Sequence, residues 1–252
     1  MTWRFAIYTA PGTGSGDARG VALRERAEQW LGRGVSGDPV TPGTPAGWTR
    51  PGIDAITVDA RRYGFHGTLK APFRLAEGRT AAELDAALAR FAAAHHGAVI
   101  PALSLVRMGG FFALVPGGPA ARLSALAADV TTSFDGFRAP PTDAELARRN
   151  PAALTPRQRE LLSAWGYPYV LDEFRFHLTL TDRVPPDRQP DVERTLTGWF
   201  AASLGATVPV DTLALFTEAE PGAPFALHAV YPLRPIPVPA QTEALTESKG
   251  TR

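Results

Sequence analysis

An α+β fold of two duplicated lobes around a shared cleft is what this sequence predicts, on two observations. A strand, helix, strand, strand order occurs twice along the 252 residues. In both copies the same slot is filled by a tetrad of the form His-x-Thr-Leu: His66-Gly67-Thr68-Leu69, and 111 positions later His177-Leu178-Thr179-Leu180. Repeated order with a repeated motif points to internal duplication.

The elements follow in chain order. Trp3 to Thr9 reads as a strand and Val21 to Leu31 as a helix, with Val21, Ala27, Trp30 and Leu31 apolar among charged neighbours. Gly32 to Gly52, rich in Gly, Pro and Thr, reads as a long surface loop. Tyr63 to Lys70 is a strand bounded by Pro72. Thr80-Ala81-Ala82-Glu83 is a capping box opening a helix whose Leu84, Leu88 and Phe91 form one apolar stripe. Val99 to Arg107 and Phe111 to Val115 are strands, and Pro119 to Phe134 a helix. The second copy runs through a strand at Phe174 to Thr181, a helix at Asp191 to Leu204, and strands at Val208 to Phe216 and Phe225 to Leu233. Between the copies, Thr142-Asp143-Ala144-Glu145 and Thr155-Pro156-Arg157-Gln158 are helix starts, so Pro141 to Trp165 is expected to be two short helices. Residues 1–234 are read as a single bilobal domain. Lobe one spans roughly 12–135, lobe two roughly 170–234 with the N-terminal strand shared, and 141–166 is the helical connection. Residues 235–252 lack an apolar pattern and are expected to be a disordered tail.

Composition narrows the function classes. With 26 basic and 25 acidic residues the net charge is +1, so an anionic ligand must be held by a local site, and duplex DNA is not expected as a partner. The chain has no cysteine, which excludes disulfides, thiolate nucleophiles and Cys-ligated zinc. No stretch approaches the roughly 20 apolar residues of a membrane span, and the N-terminus does not read as a signal peptide. A cytoplasmic monomer that needs no cofactor is the expectation.

Strand alternation gives the tetrads their chemistry. It puts His66, Thr68 and Lys70 on one face of the first strand, and Arg175, His177, Thr179 and Thr181 on one face of the second. Phe65 and Leu69, and Phe174, Phe176, Leu178 and Leu180, turn the other way into the lobes. Each histidine then stands about 6.5–7 Å along its strand from its threonine, close enough for both to meet one phosphate. Phosphoester cleavage needs a base for the nucleophile and an acid for the leaving oxygen, and imidazole serves either role near neutral pH. Threonine hydroxyls can donate to non-bridging oxygens. Two histidines without a carboxylate at ligand spacing leave a metal incompletely coordinated, so no metal is expected.

Other residues are weaker candidates. Lys70 and Arg175 are balanced between anion binding and ordinary solvated charge, and Arg61 or Arg62 could add charge from the edge. Tyr8, and Tyr167 in the run Trp165-Gly166-Tyr167-Pro168-Tyr169, could wall the cleft or belong to the core. His95 and His96 close a helix, where they suit its C-terminal dipole, and His228 reads as structural.

Two His-x-Thr motifs in a duplicated chain resemble the 2H phosphoesterase superfamily. The longer strings Tyr63-Gly64-Phe65-His66-Gly67-Thr68-Leu69-Lys70-Ala71-Pro72-Phe73 and Glu173-Phe174-Arg175-Phe176-His177-Leu178-Thr179-Leu180-Thr181 are similar to its branch associated with phosphonate-utilisation operons. The resemblance implies two mainly antiparallel sheets lining a central cleft, with helices packed outside. It implies metal-independent chemistry on a small phosphorylated substrate, such as a cyclic ribose phosphate or nucleotide. His66 and His177 would be acid and base, and Thr68 and Thr179 the phosphate-binding hydroxyls. Independently of the resemblance, Tyr8, Tyr63, Lys70, Arg175 and Tyr167 are candidates for further substrate contacts. Asp182 stands where a small neutral residue is expected, and a carboxylate facing the cleft would oppose a polyanion. The alternatives are a non-catalytic binder of a phospho-ligand or RNA end, and an RNA-end ligase using the same cleft.

Overall fold

The computed structural model describes residues 4–14 and 17–237. In chain order these form β1 (Arg4–Thr9), α1 (Ala18–Leu31), α2 (Arg50–Asp54), α3 (Val58–Tyr63), β2 (Gly67–Phe73), α4 (Ala81–Ala94), β3 (Ala98–Ile100), β4 (Ser104–Met108), β5 (Phe111–Val115) and α5 (Ala121–Ser133). There follow α6 (Asp143–Ala147), α7 (Pro156–Trp165), β6 (Leu178–Thr179), α8 (Gln189–Trp199), β7 (Val208–Val210), β8 (Thr212–Glu218) and β9 (Ala226–Pro232). The class is α+β and the described sheets are antiparallel, as expected. Trp3 and residues 238–252, most of the expected tail, lie outside the described residues. Of the tail's start, the Pro235 carbonyl accepts a hydrogen bond from His96 Nδ1 at 2.6 Å.

Seven strands join in the order β4-β5-β6-β2-β1-β8-β9, and β3 pairs with β7 in a separate ribbon. The expected two sheets are therefore two halves of one, joined where Gly67 of β2 pairs with Leu178 of β6. The halves also exchange strands. The motif strand β2 of the first repeat lies beside β1, which in turn pairs with the second repeat's β8–β9 hairpin, while β6 of the second lies beside the first repeat's β4–β5 hairpin. The second motif is thus paired directly with the first repeat's hairpin through β5, whereas β1 stands between the first motif and β8.

Several expected elements differ in extent, each for a local reason. The strand expected from Tyr63 starts at Gly67, because α3 runs through Tyr63 and ends at Gly64 with φ 75°. That helix was hidden from sequence because Asp182, far along the chain, caps it: its carboxylate accepts the amides of Asp59 (3.1 Å) and Ala60 (3.0 Å). β2 continues through Pro72, which falls at a register shift against β1 where a missing N–H interrupts no regular ladder. The strand expected at Val99–Arg107 splits into β3 and β4 around Pro101 and Ala102, the latter at φ 45°. The expected Phe174–Thr181 strand shrinks to Leu178–Thr179. The segment is held nonetheless: Trp30 Nε1 donates to the Leu180 carbonyl at 2.8 Å, and Thr181 Oγ1 accepts the Phe112 amide at 2.9 Å.

The helices with local start signals form where expected, whereas α2 begins within the segment expected to be a loop and α8 ends at Trp199 rather than Leu204. Capping boxes form at Thr80–Glu83, Thr142–Glu145 and Thr155–Gln158, starting α4, α6 and α7. The apolar stripe Leu84, Leu88 and Phe91 is buried, α4 packs on β8 and β9, and α5 packs on β2. Among the described residues no helix is long and apolar enough to cross a membrane.

Candidate active site

The Gly67–Leu178 pair is the centre of the site. Extended by one residue each way, that antiparallel register sets His66 opposite Thr179 and Thr68 opposite His177, on the face away from Leu178. Directly opposed side chains in such a pair stand roughly 4.5–5.5 Å apart at Cβ, so the two motifs form one square of groups about a local twofold. Gly67 makes the crossing close. A Cβ there would meet the Phe176 ring at 2.4 Å, so no side chain fits between the strands' inward faces.

Both imidazoles are tethered the same way. His66 Nδ1 lies 2.9 Å from the Gly64 carbonyl and His177 Nδ1 2.8 Å from the Arg175 carbonyl. A carbonyl can only accept, so each Nδ1 carries a proton and each Nε2 is left for chemistry. His66 Nε2 lies 3.2 Å from Thr68 Oγ1. Their surroundings differ. His66 stacks on buried Tyr8 with ring centroids 3.8 Å apart, and Tyr63 and Phe216 close in at 6.2 and 6.1 Å. That burial is the main reason its pKa falls to about 4; the Gly64 carbonyl works against the fall and the charge of His177 adds to it.

Two contiguous cavities, each of about 450 Å³, run over this square. One is lined by Tyr8, Tyr63, His66, Thr68 and Thr179, the other by Thr68, Arg175 and His177. Tyr167, Phe111 and Arg183 line both. Tyr167 reaches the cleft because α7 ends at Gly166, whose φ of 71° turns the chain out of the helix. Among the described residues no group of three His, Asp or Glu side chains is arranged to hold a metal ion.

Lys70 does not line the cleft. Strand alternation put it beside His66, but the β1–β2 register shifts from Tyr8↔Thr68 to Ile7↔Lys70, so Leu69 is an extra residue and Lys70 turns to the opposite face. There it is buried, donating to the Thr131 carbonyl and Asp135 at 3.1 Å each. Asp182 lines the cleft, but its charge is engaged on the α3 amides. Arg61 pairs with Asp54 away from the cleft, and Arg62 with Glu218 at 3.2 Å. His95 donates to the Phe91 carbonyl at 2.8 Å at the end of α4, as its cap reading expects, whereas His96 holds Pro235 instead. His228 is exposed on β9.

Sequence reasoning missed Arg183 and Arg149, both exposed side chains on the cleft wall. Arg183 was readable as the next member of the alternating row after Thr179 and Thr181. Arg149 comes from the helical connection, where no periodic pattern marks it.

A family described as "Protein of unknown function (DUF1045)" matches residues 68–226. Two curated relatives carry the name ribose 1,5-bisphosphate phosphokinase PhnN. The one from Janthinobacterium sp. (strain Marseille) is 39% identical over 227 residues, covering 88% of this chain and 49% of the relative. The one from Laribacter hongkongensis (strain HLHK9) is 35% identical over 226 residues, covering 89% and 50%. The chain thus spans about half the length of the curated relatives it matches. Among solved structures, E. coli LigT complexed with NADP+ aligns with a TM-score of 0.41 at 15% identity, covering 92% of this chain and 98% of LigT.

Proposed function

The chain belongs to the DUF1045 family, and we propose that it is a 2H-type phosphoesterase opening a small cyclic phosphate or nucleotide-like phosphodiester by histidine acid–base catalysis. The observation that carries this reading is the crossed square of His66, Thr68, His177 and Thr179 with both Nδ1–H groups tethered to carbonyls. In it, Thr179, and Thr68 once its hydroxyl turns from His66 Nε2, donate to the non-bridging oxygens of the bound phosphate. Water attacks phosphorus, His66 Nε2 takes the water's proton, and His177, entering the step with a proton on Nε2 as well as on Nδ1, gives the Nε2 proton to the departing oxygen as the P–O ester bond breaks. The product is a phosphomonoester, and the imidazoles return to their starting protonation through solvent. His66 takes the base role because burial against Tyr8 keeps its ring neutral down to about pH 4, leaving the Nε2 lone pair in place.

The relatives' name and the phosphonate-operon resemblance both support a phosphorylated ribose as the substrate class, in phosphonate metabolism. Their phosphokinase activity is not carried over. The chain spans half of them and contains no Gly-Lys dipeptide, hence no phosphate-binding loop of the G-x-x-x-x-G-K-[ST] form.

A panel of cyclic nucleotides and cyclic sugar phosphates tests the reading. Turnover is expected with the purified protein, unaffected by a chelator and lost by about 10²–10⁴-fold in both His66→Ala and His177→Ala. Unchanged turnover in either variant, or activity that a chelator abolishes and a divalent ion restores, would sink it.

A further inference from the structure

A third cavity, of about 330 Å³, adjoins the His66 end of the cleft and shares Arg4, Asp59, Tyr63, Pro72 and Arg149 with it as a common wall. Its lining gathers six guanidinium groups, from Arg4, Arg62, Arg74, Arg138, Arg148 and Arg149, against the carboxylates of Asp59 and Glu145. No histidine lines it.

Part of this charge is neutralised from behind. Fully buried Glu218 takes both Arg4 and Arg62, Arg74 pairs with Glu145 at 3.1 Å, and Asp135 is shared between Arg138 at 2.8 Å and Lys70 at 3.1 Å. Arg148 and Arg149 have no carboxylate partner among the described residues: Arg148 Nε donates to the Ala144 carbonyl, and Arg149 lies 4.8 Å over the Tyr167 ring. Counting Lys70 and the carboxylates Asp59, Asp135, Glu145 and Glu218, the cavity and its backing keep a surplus of three positive charges. The whole chain carries only +1, so the surplus is a local construction. Arg62 Nε is moreover buried with no hydrogen-bond partner among the described residues. Planar guanidinium forks gathered around one cavity match a phosphoryl dianion better than any neutral group.

Resting on the phosphoesterase reading, we propose that this cavity is a second phosphate subsite. The substrate carries, besides the ester bond cut between His66 and His177, a terminal phosphomonoester that the arginine-lined cavity holds without reacting with it. The substrate class is then a phosphorylated cyclic sugar or nucleotide rather than a simple cyclic phosphate. Binding energy from that remote group positions the ester over the histidines.

Adenosine 2′,3′-cyclic phosphate, with and without a 5′-phosphate, tests the subsite. The protein is expected to favour the 5′-phosphorylated compound by about tenfold or more in kcat/KM. In Arg148→Glu, an exposed position with only a backbone bond to lose, that ratio should fall towards one. Equal turnover of both compounds, with a ratio unmoved by Arg148→Glu, overturns the subsite and leaves the phosphoesterase standing. Should neither compound be turned over, the wider substrate panel decides the phosphoesterase reading, and calorimetric titration of adenosine 5′-phosphate against adenosine decides the subsite alone. Tighter binding of the phosphate, lost in Arg148→Glu, upholds it; equal binding overturns it.

Discussion

His66 and His177 each donate Nδ1–H to the carbonyl two residues back, but His66 is stacked on Tyr8 at 3.8 Å while His177 meets Phe111 at 5.9 Å and stands beside exposed Arg175. The motif and its strand fix where each ring points. What β1, α3 and β8 bring against the ring fixes its protonation, and only His66 is set into an aromatic socket. Two rings of the same spelling can therefore take unlike roles, with the buried one starting neutral as base and the open one left to act as acid.

The largest expected effect is the one that most sharply separates the two. On a cyclic nucleotide, His66→Ala and His177→Ala should each lose about 10²–10⁴-fold in kcat. On bis(p-nitrophenyl) phosphate, whose leaving group needs no proton, His177→Ala should recover most of that loss and His66→Ala should not. Recovery in His66→Ala instead would reverse the assigned roles.

Stability carries the same asymmetry. An unfolded histidine protonates near pH 6.5, whereas folded His66 does so near 4. Between these values the unfolded chain binds the extra proton, so folding stability falls as pH drops from about 6.5 to about 4 and levels off below. The fall attributable to His66 is roughly 1–3 kcal/mol, discounted for the ring's partial solvent contact. Denaturant melts of His66→Gln should lack that share of the acid destabilisation; identical pH profiles for the two proteins would show that the socket does not hold His66 neutral.

Removing the socket should also move the catalytic pH dependence. Since His66 must be unprotonated to act as base, kcat/KM is expected to decline only as pH falls through about 4. Tyr8→Ala readmits water to the ring and should raise that acid limb by about one to two pH units. A limb that stays put would assign the depressed pKa to something other than burial against Tyr8.

How much of this was readable in the sequence depends on whether its cause was local. The capping boxes at Thr80, Thr142 and Thr155 are complete within four residues, and all three formed. The face shared by each histidine and its threonine follows from alternation over two residues, and the structure brings the four groups together at the Gly67–Leu178 pair. The exchange of hairpins between repeats, the capping of α3 by Asp182 and the socket around His66 depend on partners distant in the chain. No periodicity encodes them. The arginine cavity was missed for the same reason, since its side chains come from β1, α3, β2 and the connection between the repeats.

The smallest expected effect is the one that tests the bulge. Alternation alone would make Lys70 a phosphate ligand beside His66, whereas the extra residue Leu69 turns it away to Thr131 and Asp135. Lys70→Met keeps the length of the side chain and leaves Asp135 paired with Arg138 at 2.8 Å, so no buried carboxylate is orphaned. Stability should fall by roughly 1–2 kcal/mol through the lost buried hydrogen bonds, while kcat/KM changes by no more than about twofold. Arg175→Met, at an exposed position on the cleft wall, should do the reverse, raising KM with little change in melting. If Lys70→Met instead lost turnover at unchanged stability, the lysine would have to reach the cleft, and the register of β2 against β1 would need to be one residue different from Thr68 onwards.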